Sequence, residues 1–281
     1  MRRLSLLFVL FLAVVSCGQD ENKLAARFLE RAAECMSGGS YQEAKLLIDS
    51  VRIVYPKAFE ARKEGIRLLQ KVEIAEAERT VAFQDSVLSA LRARLDEVKD
   101  RFVFEKDEKY QDIGNYMVSS QSVEKNIGRN YIRGQVDEKG RMTLVSSFSG
   151  TSYIHHRSLR LSSGDNFVET PVSDDFYEYS DLGVCYEKCN FTNGKDGGAA
   201  AFISLHKGEP IKVEIRGTRN VSADMRPADI NAISELYSFS LLLSSIDEAA
   251  SLRDEALRKI KFVNENIAKA DSIQLQNAAL R

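Results

Sequence analysis

The chain has 281 residues, of which 39 are Lys or Arg and 41 are Asp or Glu, so its formal charge is −2. This length suits one large domain or two modest ones. The near-neutral balance leaves no excess of basic residues to neutralise phosphates, which argues against a general nucleic-acid-binding protein. The chain has no Trp, although it has 10 Tyr and 14 Phe.

The N-terminus has the pattern of a secretory signal that ends in a cysteine. Two arginines follow the initial Met, and residues 4–15 form an apolar run. This run is too short to span a bilayer, which requires about 20 residues. It ends in Val-Val-Ser-Cys at residues 14–17, which resembles the bacterial lipobox. The resemblance implies removal of residues 1–16 and lipidation of Cys17, which anchors the chain to a membrane. A plain signal peptide with an incidental cysteine is the alternative.

The residues after Cys17 bear on location. Gly18 stands where the sorting rules of Gram-negative bacteria would need Asp for retention at the inner membrane, so it favours the outer membrane. Gln-Asp-Glu at residues 19–21 resembles the short acidic export signal that Bacteroidetes use to send lipoproteins to the cell surface. The alternative is that residues 17–22 form a polar tether that happens to be acidic. We therefore expect an outer-membrane protein that faces the cell surface or the periplasm.

Residues 23–56 have the pattern of a helical hairpin. A first helix is predicted over residues 24–36, and it ends at a Ser-Gly-Gly turn. Ser40 and Glu43 have the spacing of a capping box, which starts a second helix over residues 41–54.

This hairpin resembles one tetratricopeptide repeat. The resemblance rests on Gly-Ser-Tyr-Gln-Glu-Ala at residues 39–44 and on Pro56, which follows the glycine at the spacing of that family. The small side chain of Ala44 would let the two helices pack closely. No second copy follows Pro56, and repeat arrays need about three units for stability. The resemblance therefore implies a structural hairpin and not a peptide-binding superhelix.

A long amphipathic helix is predicted over residues 57–101. Its apolar stripe steps by three and four residues and is interrupted by one glutamine. The stripe consists of Ile74, Ala77, Val81, Gln84, Leu88, Leu91, Leu95, Val98 and Phe102. This spacing is typical of a coiled-coil-like seam. At about 1.5 Å per residue the helix would be roughly 60 Å long, so other parts of the chain have to cover the stripe.

Residues 102–222 predict an antiparallel β module, built as a sheet, a sandwich or a partly open barrel. Its first part, residues 104–121, is interpreted as a linker followed by a helix or strand at the edge. Residues 193–198 form a glycine-rich connector. The predicted strands span residues 131–136, 141–148, 152–161, 167–170, 199–205 and 211–215, with one or two more within residues 176–191.

The last segment, residues 223–281, predicts a second long helix that starts near Pro227. Its apolar stripe comprises Ile230, Ile233, Leu236, Leu243, Ile246, Ala256, Ile260, Val263 and Ile267. The predicted fold class is α+β. An N-terminal hairpin and two long antiparallel helices form a coiled-coil-like stalk, and the β module is inserted between those helices.

Three cysteines remain after Cys17 is assigned to lipidation. Cys35 falls on the apolar stripe of its helix and is interpreted as a core thiol. Cys185 and Cys189 would lie about 13 Å apart on a regular strand, which is too far for a disulfide. A tight turn at residues 187–188 is the alternative that would allow this disulfide, and an exported chain permits one.

Metal and cofactor chemistry has little support. A zinc site at the cysteine pair would need two more ligands. The only histidines are His155, His156 and His206, and the first two would point to opposite faces of a predicted strand. We expect no metal and no cofactor.

Catalytic motifs are equally weak. Ser122 with Lys125, and Ser204 with Lys207, match the S-x-x-K pattern of penicillin-interacting serine enzymes. Two matches in one chain show how readily the pattern occurs, and the second falls on a predicted strand instead of the required helix. We expect no enzyme.

Three serines resemble the Asp-Ser-apolar sites at which Bacteroidetes attach O-linked glycans to exported proteins. They are Ser50, Ser86 and Ser272. The alternative is that these serines lie on solvated faces of helices next to a core residue.

The sequence therefore predicts a non-enzymatic lipoprotein whose stalk presents a β module for binding a protein or glycan partner. One alternative is an enzyme that acts on envelope polymers through a site in the β module. Another is a structural protein that forms homo-oligomers through its long helices. Convergent carboxylates or a Ser/Lys pair in a cleft would favour the enzyme, and an uncovered stripe would favour a helical partner.

We predict that cells fed radioactive palmitate will label the wild-type chain, and that Cys17→Ala will abolish the label because the acylated atom is the thiol sulfur. Protease added to intact cells then distinguishes the two orientations, since only a surface-exposed chain is digested. An unlabelled wild-type chain would contradict the lipid anchor.

Overall fold

The computed structural model describes residues 18–192 and 194–279, without the side chains of residues 18–20 and 279. The predicted signal peptide and Cys17 lie outside the described residues. The chain combines helices with antiparallel sheets and ends in a long helix, which confirms the mixed α and β class. Within the described residues, no helix is both long enough and apolar enough to cross a membrane.

The chain divides into two compact units. Unit 1 is described over residues 18–86 and 250–279, and unit 2 comprises residues 87–249. Unit 1 contains helix α1 (Gly18–Ser37) and helix α2 (Tyr41–Val54). Helix α3 (Phe59–Val98) and helix α5 (Pro227–Ala279) each contribute one part to unit 1 and one part to unit 2.

Small residues allow close helix packing in unit 1. Ala32 of α1 and Ala44 of α2 are both fully buried. Gly65 brings α3 against the hairpin, because a Cβ atom there would lie 3.4 Å from Leu29 and 3.5 Å from Ile48. The hairpin and the start of α3 therefore share one apolar core.

Two details of the hairpin differ from the sequence prediction. Helix α2 has the predicted bounds, but the Ser40 side chain makes no capping hydrogen bond. Ser40 has φ −87° and ψ 61°, outside the extended region typical of an N-cap. Helix α1 begins at Gly18, so residues 18–22, expected as a tether, are helical.

Within unit 1, α3 and α5 run antiparallel and are joined by polar side chains. The pairs are Arg67 with Gln274 at 2.9 Å, Glu76 with Lys259 at 3.5 Å, and Asp85 with Arg253 at 2.5 Å. Glu76 also accepts a hydrogen bond from Lys45 of α2 at 2.5 Å. Burial alone would raise the pKa of Glu76, but the two lysines hold it below its ordinary value.

Unit 2 is built on two antiparallel sheets and a short helix, α4 (Ala199–Leu205). The first sheet has the strand order β1 (Val103–Glu105), β2 (Asn115–Met117), β3 (Tyr131–Asp137), β4 (Met142–Gly150), β8 (Val184–Phe191) and β7 (Asp175–Asp181). The second sheet has the order β10 (Val221–Asp224), β9 (Lys212–Arg216), β5 (Ser158–Ser163) and β6 (Asn166–Glu169).

Both sheets contribute to a single core in unit 2. The first sheet provides Leu144 and Phe191, and the second provides Leu159 and Ile215. Helices α4 and α5 add further buried residues, including Ile203 and Ile233. This arrangement explains the alternation of buried and less buried residues along β5 and β8.

The predicted helical stripes are confirmed as the covered faces of α3 and α5. Each stripe residue from Ile74 to Phe102 is buried or half-buried, including Gln84. The same holds for the α5 stripe from Ile230 to Ile267. In unit 2, Phe102 packs on Phe239 with ring centroids 4.3 Å apart.

One predicted strand is wrong, and another begins later than predicted. Residues 199–205 form α4 and not a strand, because three consecutive alanines favour a helix and Asp196 caps its start. The Asp196 carboxylate accepts a hydrogen bond from the Ala200 N–H at 2.8 Å. The strand predicted over residues 152–161 begins only at Ser158, since the preceding residues form an irregular segment.

We predict that Gly140→Ala will destabilise unit 2 more than Gly164→Ala. Both glycines have positive φ, so both changes introduce strain of roughly 1–2 kcal/mol. Only at Gly140 would the new Cβ atom also lie 2.3 Å from the Ser244 nitrogen of α5, whereas nothing lies near Gly164. We expect an additional loss of about 1–3 kcal/mol in the free energy of unfolding, measured by denaturant titration. Equal losses in the two variants would contradict this packing.

Candidate binding site

The hairpin between β7 and β8 ends in an exposed leucine with a left-handed backbone. Leu182 and Gly183 form the turn, with φ values of +48° and +78°. Turns of this kind suit a hairpin, but a left-handed Leu costs roughly 1–2 kcal/mol that glycine avoids. Leu182 is 96% exposed. A strained apolar side chain therefore stands where it gains no burial within the described chain.

Three tyrosines lie on one face of this hairpin. Tyr177 and Tyr179 are two residues apart on β7, and Tyr186 of β8 is directly opposite Tyr179. The rings of Tyr179 and Tyr186 stack with centroids 4.9 Å apart and planes 14° apart. Tyr177 is 62% exposed. The hairpin thus presents three aromatic rings on one face and has Leu182 in its turn.

A cavity of about 290 Å³ adjoins the stacked pair. We call it the tyrosine pocket and define it by Ile127, Arg129, Tyr179, Tyr186 and Lys188, which all line it. Ile127 is 73% exposed. The pocket therefore combines an apolar side chain, two aromatic rings and two cationic groups, a composition typical of the centre of a protein interface.

The wall of the tyrosine pocket that carries Ile127 is fixed by a buried glutamine. Gln121 donates from Nε2 to the Ile132 carbonyl at 3.3 Å and accepts at Oε1 from the Gly134 N–H at 3.1 Å. Its side-chain amide thus pairs with β3 as a neighbouring strand would. The amide nitrogen and the amide oxygen of Gln121 both have partners on β3, so the chain around Gln121 is fixed to the sheet although it does not form a strand.

Arg129 is also held in place. Its guanidinium donates to Asn126 and forms an ion pair with Asp229, whose side chain is almost fully buried. The same group lies over the Tyr131 ring, 5.0 Å from its centroid. The cationic side of the pocket is therefore organised before any partner binds, which reduces the ordering cost of binding.

Glu187 lies on the inner side of β8 and collects four hydrogen bonds. Its Oε1 accepts from the N–H groups of Ile154 at 2.5 Å and His155 at 3.1 Å. Its Oε2 accepts from the N–H of His156 at 2.8 Å and from Nδ1 of the same residue at 2.7 Å. Burial alone would raise the pKa of Glu187, but these donors hold it below its ordinary value.

The two adjacent histidines occupy different environments, and neither lies on a strand. His155 has φ +51°, and its exposed ring pairs with Glu178 at 3.0 Å. The His156 side chain is fully buried, and burial lowers its pKa despite its bond to Glu187. The side chains of His156 and Glu187 are almost fully buried, and their contact joins the segment before β5 to β8.

The serine–lysine motifs do not form catalytic pairs. Lys125 donates to Ser119 and not to Ser122. Ser204 in α4 and Lys207 just after it line one cavity of about 350 Å³. Within the described residues no hydrogen bond joins their side chains, and Ser204 lies at the end of its helix. This geometry does not favour a serine enzyme.

The remaining cysteines are free thiols. Cys185 and Cys189 lie on the single strand β8, and residues 187–188 continue the strand without the tight turn that a disulfide would need. Burial raises the pKa of the Cys189 thiol to about 11 and so disfavours its thiolate form. Cys35 is half-buried beside the core of unit 1. No group of three candidate metal ligands occurs among the described residues.

The structure places the three candidate glycosylation serines on helices of unit 1. Ser50 donates to the Leu46 carbonyl and Ser272 to that of Lys269, both at 2.8 Å. Ser86 is exposed on α3. The predicted lipid-bearing residue, Cys17, lies outside the described residues.

Comparison with known proteins provides no further guide. The chain matches no protein-family model, no curated protein and no solved structure.

Sequence reasoning did not single out Leu182 or the tyrosines. Two features of the sequence could have indicated these residues. The first is Asp-Leu-Gly-Val at residues 181–184, which has a Leu-Gly pair where a hairpin turn usually has Asn-Gly. The alternation of Tyr177 and Tyr179 on a short polar strand was the second sign, since it places both rings on one face.

We predict that acid will destabilise unit 2 in two steps. The pKa of His156 is below its ordinary value of 6.5, so stability falls as pH drops below 6.5 and the unfolded chain takes up a proton. The pKa of Glu187 is below 4.5, so its contribution is complete above 4.5 and is lost as pH falls through the lower folded value. Denaturant titration from pH 7 to pH 3 measures both steps.

Glu187→Gln should lower the free energy of unfolding at pH 7 by about 2–4 kcal/mol, because an amide cannot accept all four hydrogen bonds. The acid step below pH 4.5 should shrink in this variant. The matched control is Glu178→Gln, whose partner His155 is exposed, and its expected effect is below about 1 kcal/mol. Similar losses in the two variants would contradict a structural role for Glu187.

Proposed function

We propose that this protein is a lipid-anchored, non-enzymatic binding protein of the outer membrane, and that the tyrosine pocket with the tip of the β7–β8 hairpin contacts a partner protein. Its membrane contact is the lipid on Cys17, and the head faces the cell surface or the periplasm. The partner's identity is defined only by the chemistry of this surface.

The observation that carries the proposal is the exposure of strained Leu182 in the turn of a hairpin that also carries a stacked tyrosine pair. Tyrosines supply large contact areas with few rotatable bonds, and they are enriched among the residues that dominate binding energy. Burying Leu182 on a partner would gain about 1.5–3 kcal/mol, which exceeds the strain of its backbone. Asp181 and Lys188 beside the rings provide a polar rim.

The anchor part of the proposal rests on the N-terminal sequence. The basic start, the length of the apolar run and the position of Cys17 agree with a lipoprotein signal. At roughly 0.8 kcal/mol for each buried CH₂ group, two or more acyl chains bind a membrane stably without a spanning helix. Gln-Asp-Glu at residues 19–21, with its two acidic side chains, supports the surface-facing orientation of this proposal.

The proposal also includes the roles of the long helices and of the N-terminal hairpin. We infer that α3 and α5 form a coiled-coil-like stalk for the β module, with the hairpin acting as a structural tetratricopeptide-like unit. The antiparallel polar pairs of α3 and α5 in unit 1 and the covered stripes of both helices support it.

A second candidate, association through helices, is favoured by one groove. A cavity of about 590 Å³ between α2 and α3 is lined by Phe59 and Ile66, which are 69% and 62% exposed. Its charged lining residues are three cations and one carboxylate, so two copies of this face would bring like net charges together. These residues are Asp49, Arg52, Arg62 and Lys63. The charge favours a different helical partner over self-association.

The experiment places the photoreactive residue benzoylphenylalanine at Tyr186 in the full-length chain in its own cells. Irradiation should produce a covalent adduct with the partner. Leu182→Asn should reduce the adduct by about tenfold, because the apolar contact is lost. Asn tolerates a left-handed backbone, so the free chain should be at least as stable as wild type by thermal melting.

The matched control places the same probe at Tyr110, which is 75% exposed in unit 2 but does not line the tyrosine pocket. An adduct that forms equally well at Tyr110, or that persists in Leu182→Asn, would contradict the proposal. An adduct that resists protease but yields to glycosidases would replace the protein partner with a glycan.

A further inference from the structure

The cavity that Ser204 and Lys207 share has properties unrelated to a serine enzyme. It holds about 350 Å³ and lies where α3, α4 and α5 meet in unit 2. We call it the basic cavity and define it by Arg94, Arg101 and Lys207, the three cationic residues that line it. It shares no lining residue with the tyrosine pocket, so a ligand in the basic cavity would be separate from the partner proposed above.

The apolar lining of the basic cavity is firmly packed. Val98, Phe102 and Phe239 line it and belong to the same apolar cluster of α3 and α5. The two phenylalanine rings have centroids 4.3 Å apart, and Phe239 is only 2% exposed. Leu242 extends this apolar surface. The lining is therefore preformed and would accept an apolar group without rearrangement.

The three cations of the basic cavity have no ion-pair partner in the described part of the chain. Lys99, which lies between the two arginines on the chain, pairs with Asp96 at 2.7 Å. Arg94 and Arg101 are seven residues apart, which places them on one side of α3 and its 3₁₀ extension with Val98 between them. Cationic and apolar groups therefore alternate along one wall.

One acidic residue lines the basic cavity. Glu235 of α5 is exposed and has no ion-pair partner within the described residues. With three cations and one carboxylate, the cavity has a formal charge of +2. The hydroxyls of Ser234 and Ser238 already donate to carbonyls of their own helix, so their oxygens remain as acceptors.

We propose that the basic cavity binds a small amphiphilic anion, with its carboxylate or phosphate head on Arg94, Arg101 and Lys207 and its apolar chain against Val98, Phe102 and Leu242. Guanidinium groups donate to both kinds of head through parallel hydrogen bonds. The apolar lining excludes water around the chain and distinguishes this ligand from a free anion. A free fatty acid and a single-chain phospholipid share this chemistry.

The test titrates the full chain with octanoate and with octyl phosphate by calorimetry below their aggregation concentrations. The triple variant Arg94→Gln, Arg101→Gln, Lys207→Gln should weaken the binding of both at least about tenfold, since the charge-assisted hydrogen bonds are lost. Arg92→Gln, an exposed change on the same helix outside the cavity, should leave both affinities within about twofold of wild type. The tighter of the two ligands identifies the head group.

A second variant, Glu235→Gln, should strengthen binding, whereas the triple variant weakens it. Glu235→Gln removes the only negative charge of the lining and should tighten octanoate binding about twofold or more at low salt. This variant keeps the proposal testable if the triple variant fails to fold. Nuclear Overhauser effects from the octyl chain to the methyl groups of Val98 and Leu242 should locate the ligand.

Three results would overturn the proposal. Octyl glucoside binding as tightly as octanoate would show that the charges are not used. Inorganic phosphate binding as tightly as octyl phosphate would show that the apolar lining is not used. Unchanged octanoate affinity in both the triple variant and Glu235→Gln would place any binding elsewhere.

Discussion

The carboxylate of Glu187 fixes the point at which the chain passes from one sheet to the other. Its four hydrogen bonds attach residues 154–156 to β8, immediately before the chain enters β5. The carbonyl of Ile154 then accepts the Thr218 N–H at 2.7 Å, next to the end of β9. An irregular segment inside a core would otherwise leave several N–H groups without acceptors, each at a cost of about 1–3 kcal/mol. The charge is tolerated because all its acceptor sites are used.

The same strand carries the candidate binding surface. Successive side chains of a strand point to opposite faces, so Glu187 points inward while Tyr186 and Lys188 point outward into the tyrosine pocket. A residue that anchors β8 in the core therefore also fixes the position of the two residues beside it. This coupling explains how an edge hairpin with seven mostly exposed residues in β7 can present an ordered aromatic surface. The pocket depends on the rigidity of the core and not on that of the hairpin alone.

The long helices were predictable because their signal repeats. Eight stripe positions lie on α3, and seven of them are apolar, so the single exception at Gln84 does not hide the period. Shorter elements carry no such redundancy. Residues 199–205 are predicted as a strand that precedes the turn at residues 206–210, but the three alanines and the hydrogen bond from the Ala200 N–H to Asp196 favour a helix. The irregular segment before β5 depends on Glu187, which lies more than 30 residues further along the chain. No local pattern could reveal that contact, and the tyrosine pocket likewise depends on strand pairing.

At the tip of the β7–β8 hairpin, the residue that would best stabilise the free protein differs from the residue that would best contact a partner. For the isolated fold, Asn or Gly at position 182 would form the same turn without roughly 1–2 kcal/mol of strain and without a large apolar side chain in water. Leu182 therefore lowers the stability of the free protein. That loss is offset only when another surface covers the side chain, since its burial is worth about 1.5–3 kcal/mol. The stacked rings of Tyr179 and Tyr186 lie on the same hairpin, so one partner that binds the hairpin could contact all three residues. The free-energy balance at this turn is thus favourable in a complex and unfavourable in the free chain, which is the property expected of a contact residue.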